Sequence, residues 1–326
     1  MLSSTITLST HETGPLTGLP TLIIHGWQLS AIAESLDFEP IFTNTTTPYL
    51  RRVYIDLPAH GTTPSQNIQS LTDIYNALVH FIDSRLGSQR FLLIGSSCGG
   101  YLARALAKKY RDQIDGLILR VPLIEPRDGR RDVDAVIEPL VRDWGVVGGL
   151  SRGDREVLLL GDEDDAGEKI LIQTPGYVEA LMRKYKDVYG PAMEKADGGV
   201  LDGIRGDEGR YWLEGSFLEV DLDGDVEQEQ EQEQEQEQSK NKEQDTGSEG
   251  GAAKFPAPTL IVCGRQDESV GYRDSLRLLE LYPRASFVVL DRGTHGIPVD
   301  ESERSVFGAL VRDWVFRVGE WRGRIQ

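Results

Sequence analysis

The chain alternates short, nearly continuous apolar runs with longer stretches in which apolar residues recur every three or four positions. Thr21–His25 (TLIIH), Arg52–Leu57 (RVYIDL), Phe91–Gly95 (FLLIG), Gly116–Leu123 (GLILRVPL), Thr259–Gly264 (TLIVCG) and Ala285–Asp291 (ASFVVLD) are rich in Leu, Ile and Val and end at Gly, Pro or Asp. Such runs suit strands buried on both faces of a parallel sheet. Thr5–Leu8 (TITL) reads as an added edge strand. Helical spacing marks Leu71–Leu86, Gly100–Tyr110, Tyr272–Leu281 and Ser302–Val318; in the first, Leu71, Ile74, Leu78, Phe81, Ile82 and Leu86 form one apolar stripe. Strands alternating with helices predict an α/β fold, a mostly parallel central sheet with helices on both faces.

The stretch Ile124–Pro258 interrupts this rhythm. It holds amphipathic pieces (Val133–Trp144, Tyr177–Tyr189) and aromatic residues (Tyr211, Trp212, Phe217) but no strand as clear as those around it, which predicts a helical insertion between two sheet strands. Residues 1–123 and 256–326 then form the sheet core, 124–222 the insertion, and 223–255 an acidic Glu/Gln-rich low-complexity insert. Glu227–Gln238 alternates Glu and Gln without one apolar side chain. It has too little apolar surface to bury against the entropy of ordering, so disorder is expected, with an exposed, salt-sensitive helix as the alternative because Glu and Gln are good helix formers.

Charge follows the same division. The formal net charge is -18, and the 12 acidic residues and two lysines of Asp221–Gly250 account for -10 of it. The remainder is mildly acidic without a basic stripe to neutralise phosphates, which excludes a nucleic-acid partner. The composition excludes a wholly disordered chain, and no apolar stretch is long enough for a membrane span. Cys98 and Cys263 lie far apart in sequence, so a reducing, cytoplasmic location is expected rather than a disulfide framework. Without a basic, apolar N-terminal leader, the Asn44-Thr45-Thr46 sequon reads as accidental.

The chemistry concentrates at Gly95-Ser96-Ser97-Cys98-Gly99, which fits G-x-S-x-G between the FLLIG strand and the helix that begins near Gly100. Glycines on either side of the central residue let strand and helix approach while that residue takes a strained conformation. The Ser97 hydroxyl then projects at a helix N-terminus, where amides favour developing negative charge. An alternative frame makes Cys98 the nucleophile between Ser96 and Gly100, one residue further from the strand. A serine needs a base and the base an orienting acid. Of the five histidines, His11 and His80 read as surface or packing residues, and His25 and His60 sit before glycines near strand ends. His295 follows the last predicted strand; Asp267 follows the preceding one, with Glu268 beside it as a rival acid.

With these motifs in place, the chain resembles the α/β-hydrolase superfamily, in particular serine hydrolases with a helical cap (AB hydrolase-1 type). The superfamily's order of nucleophile, acid and histidine is matched by Ser97, Asp267 and His295. LIIHGW resembles its first oxyanion-hole loop. Asp56–Pro64 resembles its D-x-P-G-x-G-x-S loop, with Ala59 in place of the first glycine and Thr63 in place of the serine. The resemblance implies that the amides of Trp27 and Cys98 form the oxyanion hole and that 124–222 is a cap or lid roofing the pocket. His25, Gly26, Tyr177 and Trp212 become candidate substrate-binding residues, with Tyr185 and Phe217 as further cap aromatics.

The expected function is hydrolysis of a small ester, lactone or related acyl compound through an acyl-enzyme. No G-x-G-x-x-G follows a strand and no His/Cys cluster has ligand spacing, so no cofactor or metal is expected. A serine at the nucleophile position disfavours the dehalogenases and epoxide hydrolases of the superfamily, which use aspartate. Aminopeptidase-like, carbon-carbon bond hydrolase and acyltransferase activities stay open on the same fold, as does a binding or interaction protein with little turnover.

Overall fold

The computed structural model of the chain describes residues 6–43, 49–133, 175–213 and 254–325. Seven strands form one sheet in the order β1-β3-β2-β4-β5-β6-β7: Thr10–Thr13, Leu19–Ile24, Leu50–Ile55, Phe91–Ser96, Ile114–Arg120, Thr259–Gly264 and Ala285–Leu290 for β1 to β7. β1 pairs antiparallel with β3 and every other pairing is parallel. The helices named below are α1 (Ala31–Thr43), α2 (Leu71–Arg85), α3 (Cys98–Lys109), α4 (Pro175–Lys184), α5 (Gly198–Arg205) and α6 (Glu301–Ile325). The mostly parallel α/β architecture expected from the apolar pattern is the observed one.

The alternation of side chains along each strand divides the core in two. Leu22, Ile24, Leu93, Leu117, Leu119 and Ile261 pack with α2 and α3 on one face. Ile23, Leu92, Ile94, Ile118, Leu260 and Val262 pack on the other with Phe38 and Phe42 of α1 and Phe307, Val311 and Trp314 of α6. Gly116 of β5 permits the approach of α6: a Cβ there would lie 2.5 Å from Val318 Cγ2 and 2.9 Å from Trp314 Cζ2. Trp314 is fully buried and its indole N–H donates to Pro258 O at 3.1 Å.

Three expectations need correction, and one helix adds to them. The edge strand is Thr10–Thr13, not Thr5–Leu8. Polar side chains hold it: Glu12 pairs with Arg51 at 2.8 Å, and Thr13 Oγ1 accepts from Arg52 Nε at 3.1 Å. Helix α1 has no signature in the apolar spacing, because its burial inverts the usual pattern: Glu34 and Asp37 are buried while Ile32 and Leu36 are exposed. The helix expected over Tyr272–Leu281 is a 3₁₀ turn at Asp274–Arg277 and a single α-turn at Leu278–Leu281. β7 is half-buried rather than buried, because it is the outer strand of the sheet order.

Between β5 and β6 the described α-helices lie within residues 175–211, while 121–127 and 254–258 have no helix. Tyr177–Tyr189 is α4 continued by a π-turn at Tyr185–Tyr189, and Asp197 caps α5 by accepting from Val200 N at 3.3 Å. All but the first residue of Val133–Trp144, Phe217, the Glu227–Gln238 tract and the Asn44-Thr45-Thr46 sequon lie outside the described residues. Among the described residues no helix is long and apolar enough to cross a membrane.

Truncation of Trp314 removes the largest buried side chain of the α6 face, together with an indole hydrogen bond. Trp314→Ala is expected to lower the unfolding free energy by about 3–5 kcal/mol, whereas Phe316→Ala, on the exposed side of the same helix, should change it by less than about 0.5 kcal/mol. Urea denaturation of the two variants checks the contrast.

Candidate active site

The carboxyl ends of the parallel strands gather the residues singled out in the sequence, as open α/β sheets commonly do. β4 ends at Ser96, α3 begins at Cys98, and Ser97 between them takes φ 53°, ψ −121°. Contact enforces this conformation. A Cβ on Gly95 would lie 2.3 Å from Gly99 O, and one on Gly99 would lie 2.4 Å from Ile24 O and 2.5 Å from His25 O. Both glycines of G-x-S-x-G are therefore needed for α3 to start so close to β2 and β4. The left-handed residue is Ser97, as the first frame requires, while Cys98 is the first residue of α3. Cys98 is buried, its thiol is hydrogen-bonded to the Tyr211 side chain, and burial pushes its pKa up to about 11. A thiol held protonated in this way is a poor nucleophile at neutral pH.

His295 lies on the loop after β7 and Asp267 on the loop after β6. His295 Nε2 is 2.9 Å from Ser97 Oγ, and Nδ1 is 2.9 Å from Asp267 Oδ2. Asp267 is 4% exposed, and its other oxygen accepts from the amides of Ser269 at 2.9 Å and Val270 at 3.0 Å. With the carboxylate accepting at Nδ1–H, Nε2 is left to accept the serine proton. Asp267, and not its neighbour Glu268, meets the imidazole. The two loops are tied by Gln266 N–H to Gly293 O at 2.9 Å and Arg265 N–H to Leu290 O at 2.9 Å.

The His25-Gly26-Trp27-Gln28 loop lies beside Ser97: a Cβ on Gly26 would be 3.2 Å from Ser97 Cβ. Among the described residues no acceptor is found for the amides of Trp27 or Cys98. Two neutral histidines brace this loop. His25 Nε2 accepts from Leu57 N–H at 3.0 Å and its Nδ1–H donates to Gly26 O at 2.7 Å. His60 Nε2 accepts from Gln28 N–H at 3.0 Å and its Nδ1–H donates to Pro58 O at 2.8 Å. Burial lowers their pKa values to about 4 and about 3, His60 being depressed further by His25 beside it. Both rings are fully buried, so His25 is committed to the loop rather than facing a ligand.

The Asp56–Pro64 loop has a comparable internal frame. Asp56 Oδ1 accepts from Ala31 N–H at 2.7 Å and Oδ2 from Thr62 N–H at 3.0 Å. Gly61, at φ 55°, approaches that carboxylate where no Cβ would fit. Thr63, standing where the superfamily has serine, donates to Asp56 O at 2.8 Å and accepts from Ser9 N–H at 2.9 Å. Ala59, standing where it has glycine, takes φ 66°, a left-handed conformation that its Cβ disfavours.

The helical segment supplies further neighbours. Tyr211 packs edge-on against Trp27 with centroids 5.0 Å apart, and Arg205 Nη1 donates to its hydroxyl at 3.0 Å. Trp212 is half-buried with the Arg127 guanidinium 4.7 Å over its ring. Tyr177 is buried behind the histidine loop, its hydroxyl donating to Glu303 Oε1 at 3.0 Å. Tyr185 is near enough to Asp267 for that carboxylate to help burial raise its pKa.

Sequence reasoning missed Glu34, Asp37, Arg120 and Lys184, four charged side chains buried beneath the site. Arg120, a lone cation inside the apolar run GLILRVPL, was the available signal, since a charge in a buried strand requires partners. Among the described residues no group of three or more His, Cys, Asp or Glu side chains is arranged to hold a metal ion.

The model of the alpha/beta hydrolase family matches residues 22–309. No curated protein matches the chain significantly. Solved structures of the same fold include an alpha/beta superfamily hydrolase from Oenococcus oeni PSU-1, 22% identical, with a TM-score of 0.65 over 96% of each chain. The esterase RhEst1 from Rhodococcus sp. ECU1013 is 18% identical, with a TM-score of 0.59 over 95% of this chain and 94% of its own. A meta-cleavage product hydrolase from Pseudomonas fluorescens IP01 is 20% identical, with a TM-score of 0.54 over 95% and 94%. At these identities the structural likeness speaks for the fold alone. The family match over most of the chain, on a sheet of the corresponding topology, shows that the chain belongs to the alpha/beta hydrolase family.

Proposed function

We propose that this protein is a serine hydrolase that cleaves a small ester, lactone or related acyl substrate through an acyl-enzyme on Ser97. The observation that carries the reading is the unbroken chain from Ser97 Oγ through His295 to Asp267, 2.9 Å at each link, with Ser97 alone on the strained turn. Ser97 Oγ attacks the carbonyl carbon as its proton passes to His295 Nε2. The oxyanion forms facing the amides of Trp27 and Cys98, donors preorganised where charge develops. His295 returns the proton to the leaving oxygen. Water then attacks the acyl-enzyme with His295 as base, releasing the acid and free Ser97. Asp267 keeps the imidazole in the tautomer that both steps need.

Residues 1–123 and 256–326 are the catalytic core and 124–222 the cap, with the acidic Glu/Gln-rich stretch 223–255 as a separate insert in the sequence. Tyr211, against Trp27, and Trp212 bring cap aromatics to the pocket side. The two cysteines are free and buried, which fits a cytoplasmic enzyme.

With p-nitrophenyl acetate as substrate, Ser97→Ala should lower kcat by at least about 10³-fold, and Asp267→Asn by about 10⁴-fold through the wrong histidine tautomer. Turnover by Ser97→Ala at the wild-type rate would refute the assignment.

The bracing histidines make a separate prediction about stability. Their folded pKa values of about 4 and about 3 lie below the value of 6.5 for a free histidine, so between those limits the unfolded chain binds more protons than the folded one. Stability is therefore full above pH 6.5 and falls as pH drops, by up to about 1.4 kcal/mol per pH unit for each histidine. His60→Gln should flatten the slope of unfolding free energy against pH between 6.5 and 5, even if its stability at pH 7 is lower. An unchanged slope would remove His60 from the account.

A further inference from the structure

Helix α4 presents one face to the loop that carries His295. Tyr177, Leu181 and Lys184, spaced by four and three residues, lie on one side of the helix. The Tyr177 hydroxyl lies 3.4 Å from Thr294 Oγ1, on the residue before His295. Leu181 Cδ1 lies 3.2 Å from where a Cβ on Gly296 would sit, on the residue after it. Lys184 Nζ donates to Gly296 O at 2.8 Å and to Pro298 O at 2.9 Å. The helix thus holds the chain on both sides of His295.

Lys184 is also the outer member of a buried charge network. Its ammonium meets Asp37 Oδ1 at 2.7 Å and Oδ2 at 2.8 Å. Arg120 Nη1 reaches the same carboxylate at 2.6 Å and Ile297 O at 2.9 Å, and Nη2 reaches Glu34 Oε2 at 2.8 Å. Arg120 Nε donates to Ser96 Oγ at 2.8 Å, and the Ser96 hydroxyl donates to Glu34. Two cations and two anions, all less than a tenth exposed, therefore connect three successive carbonyls, Gly296 to Pro298, with the residue next to Ser97. Buried ionic networks are seldom the most stabilising way to fill a core; hydrophobic residues of similar volume often do as well or better. What this one supplies is geometry: it ties the loop bearing His295 to the strand that ends beside Ser97.

We propose that Lys184 is a positioning residue for His295, through which the cap helix sets the distance between the imidazole and the Ser97 hydroxyl. The proposal rests on reading Ser97 and His295 as nucleophile and base. Lys184 touches no reacting atom; it acts through the Gly296 and Pro298 carbonyls. The cap is then part of the catalytic geometry as well as the roof of the pocket, because displacement of α4 frees the base as it opens the site.

The test is the inactivation of the full-length protein by a fluorophosphonate probe, resolved into kinact and KI, beside melting temperatures. Four proteins are compared: wild type, Lys184→Met, Lys184→Met/Asp37→Asn and Ser97→Ala. Lys184→Met should lower kinact about tenfold or more, since misplacements near 1 Å can cost about 10²-fold, while KI stays within about threefold. The double variant leaves Arg120 paired with Glu34 and no surplus buried carboxylate. It should recover melting temperature without recovering kinact, and it carries the comparison if Lys184→Met alone does not fold. A wild-type kinact in Lys184→Met, or recovery of kinact together with stability in the double variant, would overturn the positioning role and leave the serine hydrolase reading intact. Labelling of Ser97→Ala at the wild-type rate would instead remove the reading on which the proposal rests.

Discussion

The close approach of α3 to β2 and β4 is the constraint from which the site follows. Gly95 and Gly99 leave no room for a Cβ on either side of the turn, and the chain reverses there only with Ser97 in a left-handed conformation. Such a conformation costs on the order of 1–3 kcal/mol and persists only where the surroundings over-determine it. Here they do: Ser97 N–H donates to Arg120 O at 2.9 Å, and Ser97 O accepts from Leu123 N–H at 3.0 Å, besides the first turn of the helix. The hydroxyl is left projecting from the end of the sheet, 2.9 Å from His295.

Around that turn, polar side chains in the interior do positional rather than cohesive work. His25 and His60 hold the Trp27 loop by accepting amide protons, which requires them neutral, and burial keeps them so. Asp56 spends both carboxylate oxygens on backbone amides of α1 and its own loop. The Glu34, Asp37, Arg120 and Lys184 network joins five segments of the chain: α1, the end of β4, the end of β5, the histidine loop and α4. Apolar packing on the two sheet faces supplies the cohesion, and these groups decide where the loops at the carboxyl ends come to rest.

How much of this the sequence disclosed follows from which signals are local. G-x-S-x-G announces itself because a strand pattern precedes it and a helical pattern follows it. Asp267 and His295 stand out because each follows a strand-like run, though the resemblance was needed to join them to Ser97. Buried strands such as Thr259–Gly264 are legible to the residue, since nearly continuous Leu, Ile and Val have few other uses. Helix α1 is illegible for the opposite reason, its buried face carrying Glu34 and Asp37 while Ile32 and Leu36 face outward. The alternating Thr5–Leu8 reads as an edge strand from its sequence, whereas the antiparallel edge is Thr10–Thr13, held by Glu12 and Thr13. The partners of Arg120 and Lys184 lie more than 80 residues away, at Asp37, and no local pattern encodes such a pairing.

The central claim is that Ser97, activated by His295, is the covalent nucleophile. The most direct measurement is peptide mapping by mass spectrometry after reaction of the native protein with diisopropyl fluorophosphate. One adduct is expected, a diisopropylphosphoryl ester on Ser97 Oγ formed with release of fluoride, and it should be absent when the protein is denatured before labelling. An adduct on Cys98 or any other residue, or an unmodified Ser97 under conditions where substrate turns over, would contradict the claim.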